Sequence, residues 1–260
     1  MDESPKGAEK VMPYGGGAHK GTQVEEMFDS IAPAYDLMNT AMTFGLHRHW
    51  RDTALSAASR AIREAGRPAP RAILDVATGT GDVAIELSAR WPDARITGID
   101  LSEGMLALGR RKVAALPPQR AARITLEAGD CLRLDFPDNG FDLVTVAYGV
   151  RNFERLEEGL REMLRVMAPG ALLCIVELSE PESRLLHAFY RLYSRHLIPA
   201  VGRMVSGDSR AYTYLPESIA AAPQRRDMAL LLQKVGFHRC RWRSLTFGAV
   251  TFYLAQKPLP

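Results

Sequence analysis

Cysteine is scarce in this chain: Cys131, Cys174 and Cys240 are its only three, far apart and without a C-x-x-C pair. That argues against a disulfide framework and against a zinc site, so no metal is expected. No apolar run approaches the roughly 18 residues that a membrane-spanning helix needs. The opening MDESPKGAEK lacks the apolar core of a signal peptide. These absences together fit a reducing, cytoplasmic compartment. Charge of one sign is not in excess either, since 33 Lys and Arg against 30 Asp and Glu leave a net charge of +3. No global field favours nucleic acid, and no nucleic-acid partner is expected. What the chain does have is length: 260 residues, 47% of them hydrophobic, can bury a sizeable core without staples.

Residues 1–23 carry few aliphatics and a Gly15-Gly16-Gly17 break, and read as a disordered tail. From Val24 the pattern changes, with Met27, Phe28, Ile31 and Tyr35 at helical spacing around Pro33. A second helix is expected from about His47 to Ala65, closed by Gly66-Arg67-Pro68. The expectation is one domain over 24–260 with a helical cap over 24–66. From Arg71 strand and helix alternate. AILDVA, RITGID, ITLEAGD, FDLVTVAYGV and ALLCIVEL read as strands; DVAIELSAR, GMLALGRRKVAAL and LEEGLREMLRVMA read as helices, the last stopped by Pro169-Gly170. This is the signature of an α/β, doubly wound, mostly parallel sheet with ligands at the carboxyl ends of its strands. Beyond it the spacing predicts a long helix over 184–204, an irregular loop at AYTYLPESI and a helix ending near Gly236. Two strands, about 239–245 and 249–255, suit an antiparallel pair at the sheet edge.

The first strand runs into Asp75-Val76-Ala77-Thr78-Gly79-Thr80-Gly81-Asp82. Gly79 and Gly81 permit positive φ and close backbone approach to a nucleoside. The same glycines, with Ala84, also satisfy a dinucleotide fingerprint, so they do not decide the ligand. Charge helps. A pyrophosphate wants a helix N-terminus free of anions, whereas Asp82 stands there and Asp75 lies just before. Two carboxylates suit a ligand carrying an ammonium and a sulfonium, which describes S-adenosylmethionine. The plainer reading of Asp82 is a residue favoured by the helix dipole, which leaves Asp75 unexplained. Asp100 ends the second strand, where an acid can accept both ribose hydroxyls. Gly129-Asp130-Cys131 follows the third: Asp130 could take the adenine amino group and the Cys131 amide a ring nitrogen, unless Asp130 is only a turn residue. Three acids at successive strand ends point to a class I S-adenosylmethionine-dependent methyltransferase fold, Rossmann-like, with an antiparallel edge strand.

Other segments are more specific. VEEMFDSIAPAYDLMN (Val24–Asn39), GLHRHWR (Gly45–Arg51), YGVRNF (Tyr148–Phe153) and AYTYLPESI (Ala211–Ile219) resemble the signatures of the ubiquinone/menaquinone biosynthesis C-methyltransferases. With the glycine loop they cover about residues 24–257. The resemblance implies methylation of a ring carbon of a polyprenyl hydroquinone by S-adenosylmethionine. The substrate would be demethylmenaquinol in the menaquinone branch, towards which the wording leans, or a methoxy-polyprenyl-benzoquinol in the ubiquinone branch. It also implies cofactor contacts at Thr80, Asp100, Asp130 and Cys131, although many members have Asn-Ala at the last two. A serine that contacts the cofactor in some members is Ala147 here. Tyr35, Arg151 and Asn152 are implied in activating the hydroquinone. A guanidinium is no base, its pKa exceeding about 12. Arg151 would instead lower a hydroxyl's pKa and donate to its oxygen, while water or Tyr35 carries the proton. Alternatively Arg151 pairs with Glu154 or Glu157 and caps the following helix. His47 ranks below Arg151 as a candidate, since a lone histidine beside Arg48 and Trp50 is more often a packed surface residue.

From Ser183 to Gly207 there is no acid, while Arg184, Arg191, Arg195 and Arg203 accompany an apolar face that includes Leu185, Phe189 and Leu192. A basic amphipathic helix of this kind suits peripheral contact with the inner face of a membrane. The same face could pack on the core or on a second copy in a homodimer. Other functions weighed against the quinol methyltransferase are an O- or N-methyltransferase of small molecules, a catalytically silent scaffold, and a dinucleotide oxidoreductase. Intact Gly79, Gly81, Asp100 and Arg151 argue against the scaffold.

Overall fold

The computed structural model describes residues 7–183, 186, 190 and 209–260. Its sheet has seven strands: β1 (Ala72–Val76), β2 (Arg95–Asp100), β3 (Ile124–Ala128), β4 (Phe141–Ala147), β5 (Met167–Leu178), β6 (His238–Leu245) and β7 (Val250–Gln256). Their spatial order is β3-β2-β1-β4-β5-β7-β6. The first five run parallel, and β7 lies antiparallel between β5 and β6. The expected edge pair is present, inserted so that β7 closes against β5. Central strands are apolar on both faces because helices cover both; Ile73, Leu74 and Val76 of β1 are fully buried. Edge strand β6 instead exposes Arg239, Arg241 and Arg243, charges that discourage pairing with another chain. Chain order reverses between β1 and β4, and this switch point opens the crevice at the carboxyl edge of the sheet.

Ahead of the sheet come α1 (Lys20–Ile31), α2 (Tyr35–Thr43) and α3 (Leu46–Glu64). Between and after the strands lie α4 (Asp82–Arg90), α5 (Glu103–Ala114), α6 (Pro118–Ala121), α7 (Leu156–Val166), α8 (Ser209–Ala221) and α9 (Arg226–Val235). One core layer joins Trp50, Ala54 and Leu55 of α3 to Leu87 of α4 and to one face of the sheet. The opposite layer joins Leu160 and Met163 of α7 to Met228 and Leu232 of α9. Helices α1 and α2 lie over the crevice. Asp29 accepts from Ser102 Oγ (2.5 Å) and Gly104 N (2.9 Å), pinning α1 across the start of α5. Asp36 accepts from Thr80 Oγ1 at 2.8 Å and pairs with Lys112 at 2.5 Å, pinning α2.

Three expectations are corrected. The packed chain starts well before Val24: residues 7–10 form a 3-10 turn and α1 begins at Lys20. Buried polar groups order this stretch. Lys20 Nζ donates to Ala8 O (2.6 Å) and Arg151 O (3.2 Å), and Gln23 Nε2 to Gly15 O (2.8 Å) and Ala18 O (3.0 Å). AYTYLPESI is helical, inside α8, with Pro216 in mid-helix. Burial of Tyr214 and Ile219 overrides the local cost of that proline. Pro169-Gly170 does not form a separate stop, because α7 ends at Val166 and β5 starts at Met167. The proline and glycine fall where the β4–β5 register shifts between Phe141 and Leu143, and Gly170 takes φ of +74° there. The helix expected over 184–204 lies almost wholly outside the described residues. Among those described, no helix is long and apolar enough to cross a membrane.

Candidate active site

After β1 the backbone turns sharply, with Ala77, Gly79 and Gly81 at φ of +53°, +56° and +76°. The turn therefore presents main chain to the crevice. A cavity of about 270 Å³ opens against it, lined by Gly79, Asp100, Gly129, Asp130 and Cys131 among others. Asp100 Oδ2 accepts from Gly79 N (2.8 Å) and Oδ1 from Ser102 N (3.0 Å), which fixes the carboxyl plane. Each oxygen keeps a second lone pair for a diol. Burial raises the Asp100 carboxyl above its ordinary pKa, against the pull of those amides. Asp130 Oδ1 accepts from Leu132 N at 2.8 Å. Burial pushes the Cys131 thiol well up, so it stays protonated and offers the site its main chain rather than a thiolate. Glu25, and Glu154, which the sequence offered only as a partner for Arg151, add acid to the wall. Among the described lining residues there is no lysine or arginine. The donor set fits an adenosine with a cationic arm and gives a pyrophosphate no counter-charge.

That acidity is not where the loop sequence put it. Asp75 is buried behind the turn, outside the cavity, and both its oxygens are taken: Thr78 Oγ1 donates to one and Thr145 Oγ1 to the other, each at 2.6 Å. Burial raises its pKa to about 7 despite these donors. Its work is to brace the turn against β4, not to bind a ligand. Asp82 meets Lys112 at 2.7 Å and Arg51 at 3.3 Å. Burial alone would raise its carboxyl, but the two cations hold it below the usual range. Neither acid remains for an ammonium or sulfonium. Thr80 Oγ1 faces Asp36 and Lys112 and lines a neighbouring chamber instead. Gly81 caps α4 and lines neither space.

The neighbouring chamber holds about 280 Å³ under α1 and α2. It shares Phe28, Tyr35, Ala77, Gly79, Ala147 and Tyr148 with the first cavity, so the two meet there. Its wall is largely apolar, with Met27, Ile31, Met38, Met42, Trp50 and Leu215. Arg151 projects from a 3-10 turn (Val150–Asn152) after β4 and lines the chamber. Its Nη1 donates to Glu177 Oε1 (2.8 Å) and to the Tyr148 carbonyl, while its backbone amide reaches Glu177 Oε2 (3.2 Å). Pairing with Glu154 or Glu157 is not what the structure shows: Gly21 N donates to Glu154, and Glu157 meets Arg161 and Lys234. Glu177 had one sequence signal, an acid closing the apolar run ALLCIVEL. The Arg151 Nε is buried with no partner among the described residues, a donor left open. Asn152 lines the first cavity, and its Oδ1 accepts from Tyr214 Oη at 3.1 Å. Burial raises the phenols of Tyr35, Tyr148 and Tyr214, so all three hold their protons at neutral pH. His47 is no surface residue; it is buried on the chamber wall. No cluster of metal-ligating side chains occurs among the described residues.

Comparison with known proteins adds to this geometry. The sequence profile described as the ubiE/COQ5 methyltransferase family matches residues 17–257. The demethylmenaquinone methyltransferase of Deinococcus radiodurans is 45% identical over 250 residues, covering 96% of this chain and 99% of that protein. The ubiquinone/menaquinone biosynthesis C-methyltransferase UbiE of Geobacter sulfurreducens is 44% identical, covering 92% and 90%. Among solved structures, a SAM-dependent methyltransferase of Thermotoga maritima superposes with a TM-score of 0.60 at 18% identity, covering 89% of this chain and 99% of its own. The fold is thus the class I methyltransferase fold, as the order of elements implied.

Proposed function

We propose the reaction of this chain from one premise: it belongs to the ubiE/COQ5 methyltransferase family and is a methyltransferase. The reaction is transfer of a methyl group from S-adenosylmethionine to a ring carbon of a polyprenyl hydroquinone, demethylmenaquinol, giving menaquinol. What carries this reading is the meeting, at Tyr35, Gly79 and Tyr148, of an acidic cavity with no described lysine or arginine and an apolar chamber. A charged nucleoside suits the first and a greasy aromatic ring the second. Asp100 would hold the ribose diol, Asp130 the adenine amino group and the Cys131 amide a ring nitrogen. Gly79 lets the main chain come close. The bound cofactor supplies an electrophilic methyl on sulfur, so the protein must raise electron density on the acceptor carbon. Arg151 does this by turning its open Nε towards a hydroquinone oxygen and stabilising negative charge there. Asn152, held by Tyr214, and Tyr35, which keeps its proton, orient the ring from the cofactor side.

The ubiquinone-branch substrate shares this chemistry and differs only in its head group. An O- or N-methyltransferase of small polar molecules has no use for so apolar a chamber. The purified protein should move labelled methyl from S-adenosylmethionine onto a ring carbon of chemically reduced, short-chain demethylmenaquinone. Label on oxygen, or turnover of a benzoquinol with none of the naphthoquinol, would overturn the menaquinone reading.

A polyprenyl substrate resides in a bilayer, and the chamber mouth is suited to meet one. Phe44 and Phe247 are 81% and 79% exposed. Trp50 of α3, the helix that follows Phe44, donates from Nε1 to Thr246 Oγ1 beside Phe247 at 2.8 Å. We infer peripheral membrane contact through Phe44 and Phe247, from the cytoplasmic side. Replacing both phenylalanines with serine should cut vesicle co-sedimentation about tenfold, given about 1.5–3 kcal/mol for a fully buried side chain and partial insertion here. Turnover of a long-prenyl quinol should fall with it, while a short-chain analogue is turned over as before. Equal losses on both substrates would remove the membrane contact.

A further inference from the structure

His47 lies in the first turn of α3, buried, and is one of the residues that line the apolar chamber. Its hydrogen bonds settle its tautomer. Thr43 Oγ1 donates its only hydrogen to Asn39 O at 2.6 Å. The 2.6 Å contact between that Oγ1 and His47 Nδ1 must then use a hydrogen on Nδ1. A neutral ring protonated at Nδ1 carries its lone pair on Nε2, which has no partner among the described residues.

Its titratable neighbours on that wall are poor proton acceptors. Arg51 and Arg151 are guanidinium ions, and Tyr35, Tyr148 and Tyr214 already hold protons. Asp82 is ionised, but Lys112 occupies one oxygen and Arg51 the other. Burial lowers the His47 pKa, and the cations Arg51 and Arg48 lower it further against Asp82 and Asp36. Tyr148 Oη, donating to the His47 carbonyl at 3.3 Å, ties the residue to the end of β4.

We propose that His47 Nε2 is the general base that removes the hydroxyl proton of the hydroquinone. This rests on the quinol reading above. The O–H bond breaks, the proton passes to Nε2, and the electron pair stays on oxygen and feeds the ring carbon. As that carbon bonds to the methyl, the carbon–sulfur pair remains on sulfur. The proton on the methylated carbon is then lost to water, and the imidazolium returns its proton to the oxygen, so one proton is released per turnover. General-base assistance of this kind is worth roughly 10²-fold or more.

The test is the pH–rate profile of kcat/KM on a reduced short-chain demethylmenaquinone, with cofactor affinity measured by calorimetry. The wild type should lose activity on the acid side with a midpoint below the ordinary histidine value of about 6.5. His47→Gln should fall about 100-fold at neutral pH and lose that acid limb, with cofactor affinity kept. His47→Ala should regain activity with added imidazole. Thr43→Val keeps the imidazole but frees its tautomer, and should lose activity several-fold while the acid limb moves. A His47→Gln enzyme within threefold of wild type, or an acid limb unchanged in it, overturns the proposal. Should His47→Gln lose cofactor affinity, Thr43→Val decides, an unmoved limb and rate counting against. A wild type inactive on every hydroquinone overturns the proposed function as well; an active wild type with an unaffected His47 variant overturns only this assignment.

Discussion

Arg151→Lys is expected to lower kcat by about 10²–10³-fold, the usual cost of removing one donor to a developing oxyanion, while S-adenosylmethionine affinity stays as in the wild type. The reason lies in how the guanidinium is divided. One edge is committed to structure, with Nη1 on Glu177 Oε1 and on the Tyr148 carbonyl. Its Nε is buried and has no partner among the described residues. A lysine ammonium could keep the contact with Glu177, the stronger of the two demands because an unpaired buried carboxylate is costly. It could not also present a second donor at a fixed angle, which only the planar fork allows. The fold should therefore survive and the chemistry should not. Single-turnover measurement of methyl transfer separates the chemical step from product release. A variant within a few-fold of wild type would confine Arg151 to bracing the turn between β4 and α7, and the oxyanion donor would have to be found elsewhere.

The second large effect falls on binding. Asp100→Ala should weaken S-adenosylmethionine by about 1.5–3 kcal/mol, the range for hydrogen bonds to a charged group. The carboxylate is aimed by the Gly79 and Ser102 amides, so alanine removes the ligand contact and the anchor of the turn together. Asp100→Asn keeps one carbonyl oxygen and should lie between the two. A pH titration adds a sign. Burial raises this carboxyl, so affinity should begin to fall on acidification at a higher pH than an ordinary carboxylate would give. Calorimetry showing equal affinity for alanine and wild type would remove Asp100 from the ribose site. Tight NAD binding without S-adenosylmethionine binding would remove the cofactor assignment altogether.

The strands, their order of use and the ligand edge could be read from the chain because they depend on local rules. Short apolar runs such as AILDVA and ALLCIVEL, punctuated by glycine and alternating with helices, allow few sheets. An acid placed at a strand end, such as Asp100 or Asp130, needs no partner from elsewhere to reach the crevice. Where a group's fate depended on distant side chains, local reading failed. Asp75 and Asp82 look alike in DVATGTGD, yet one is enclosed by Thr78 and Thr145 and the other neutralised by Arg51 and Lys112. Thr78 belongs to the loop itself, but Thr145, Arg51 and Lys112 come from distant parts of the chain. Arg151 had acids three and six positions away and chose Glu177, twenty-six positions on, because β4 and β5 are neighbours in the sheet. Lys20 and Gln23 read as tail and are buried; His47 reads as surface and lines a chamber. Sequence alone determined the fold class and the place of Asp100 and Asp130 at the cavity, since periodicity and strand-end position are local properties, and the family through signature segments such as YGVRNF. Only the tertiary structure decided which charges are spent on one another and which remain open to a ligand, because that balance is struck between groups that share space and not sequence.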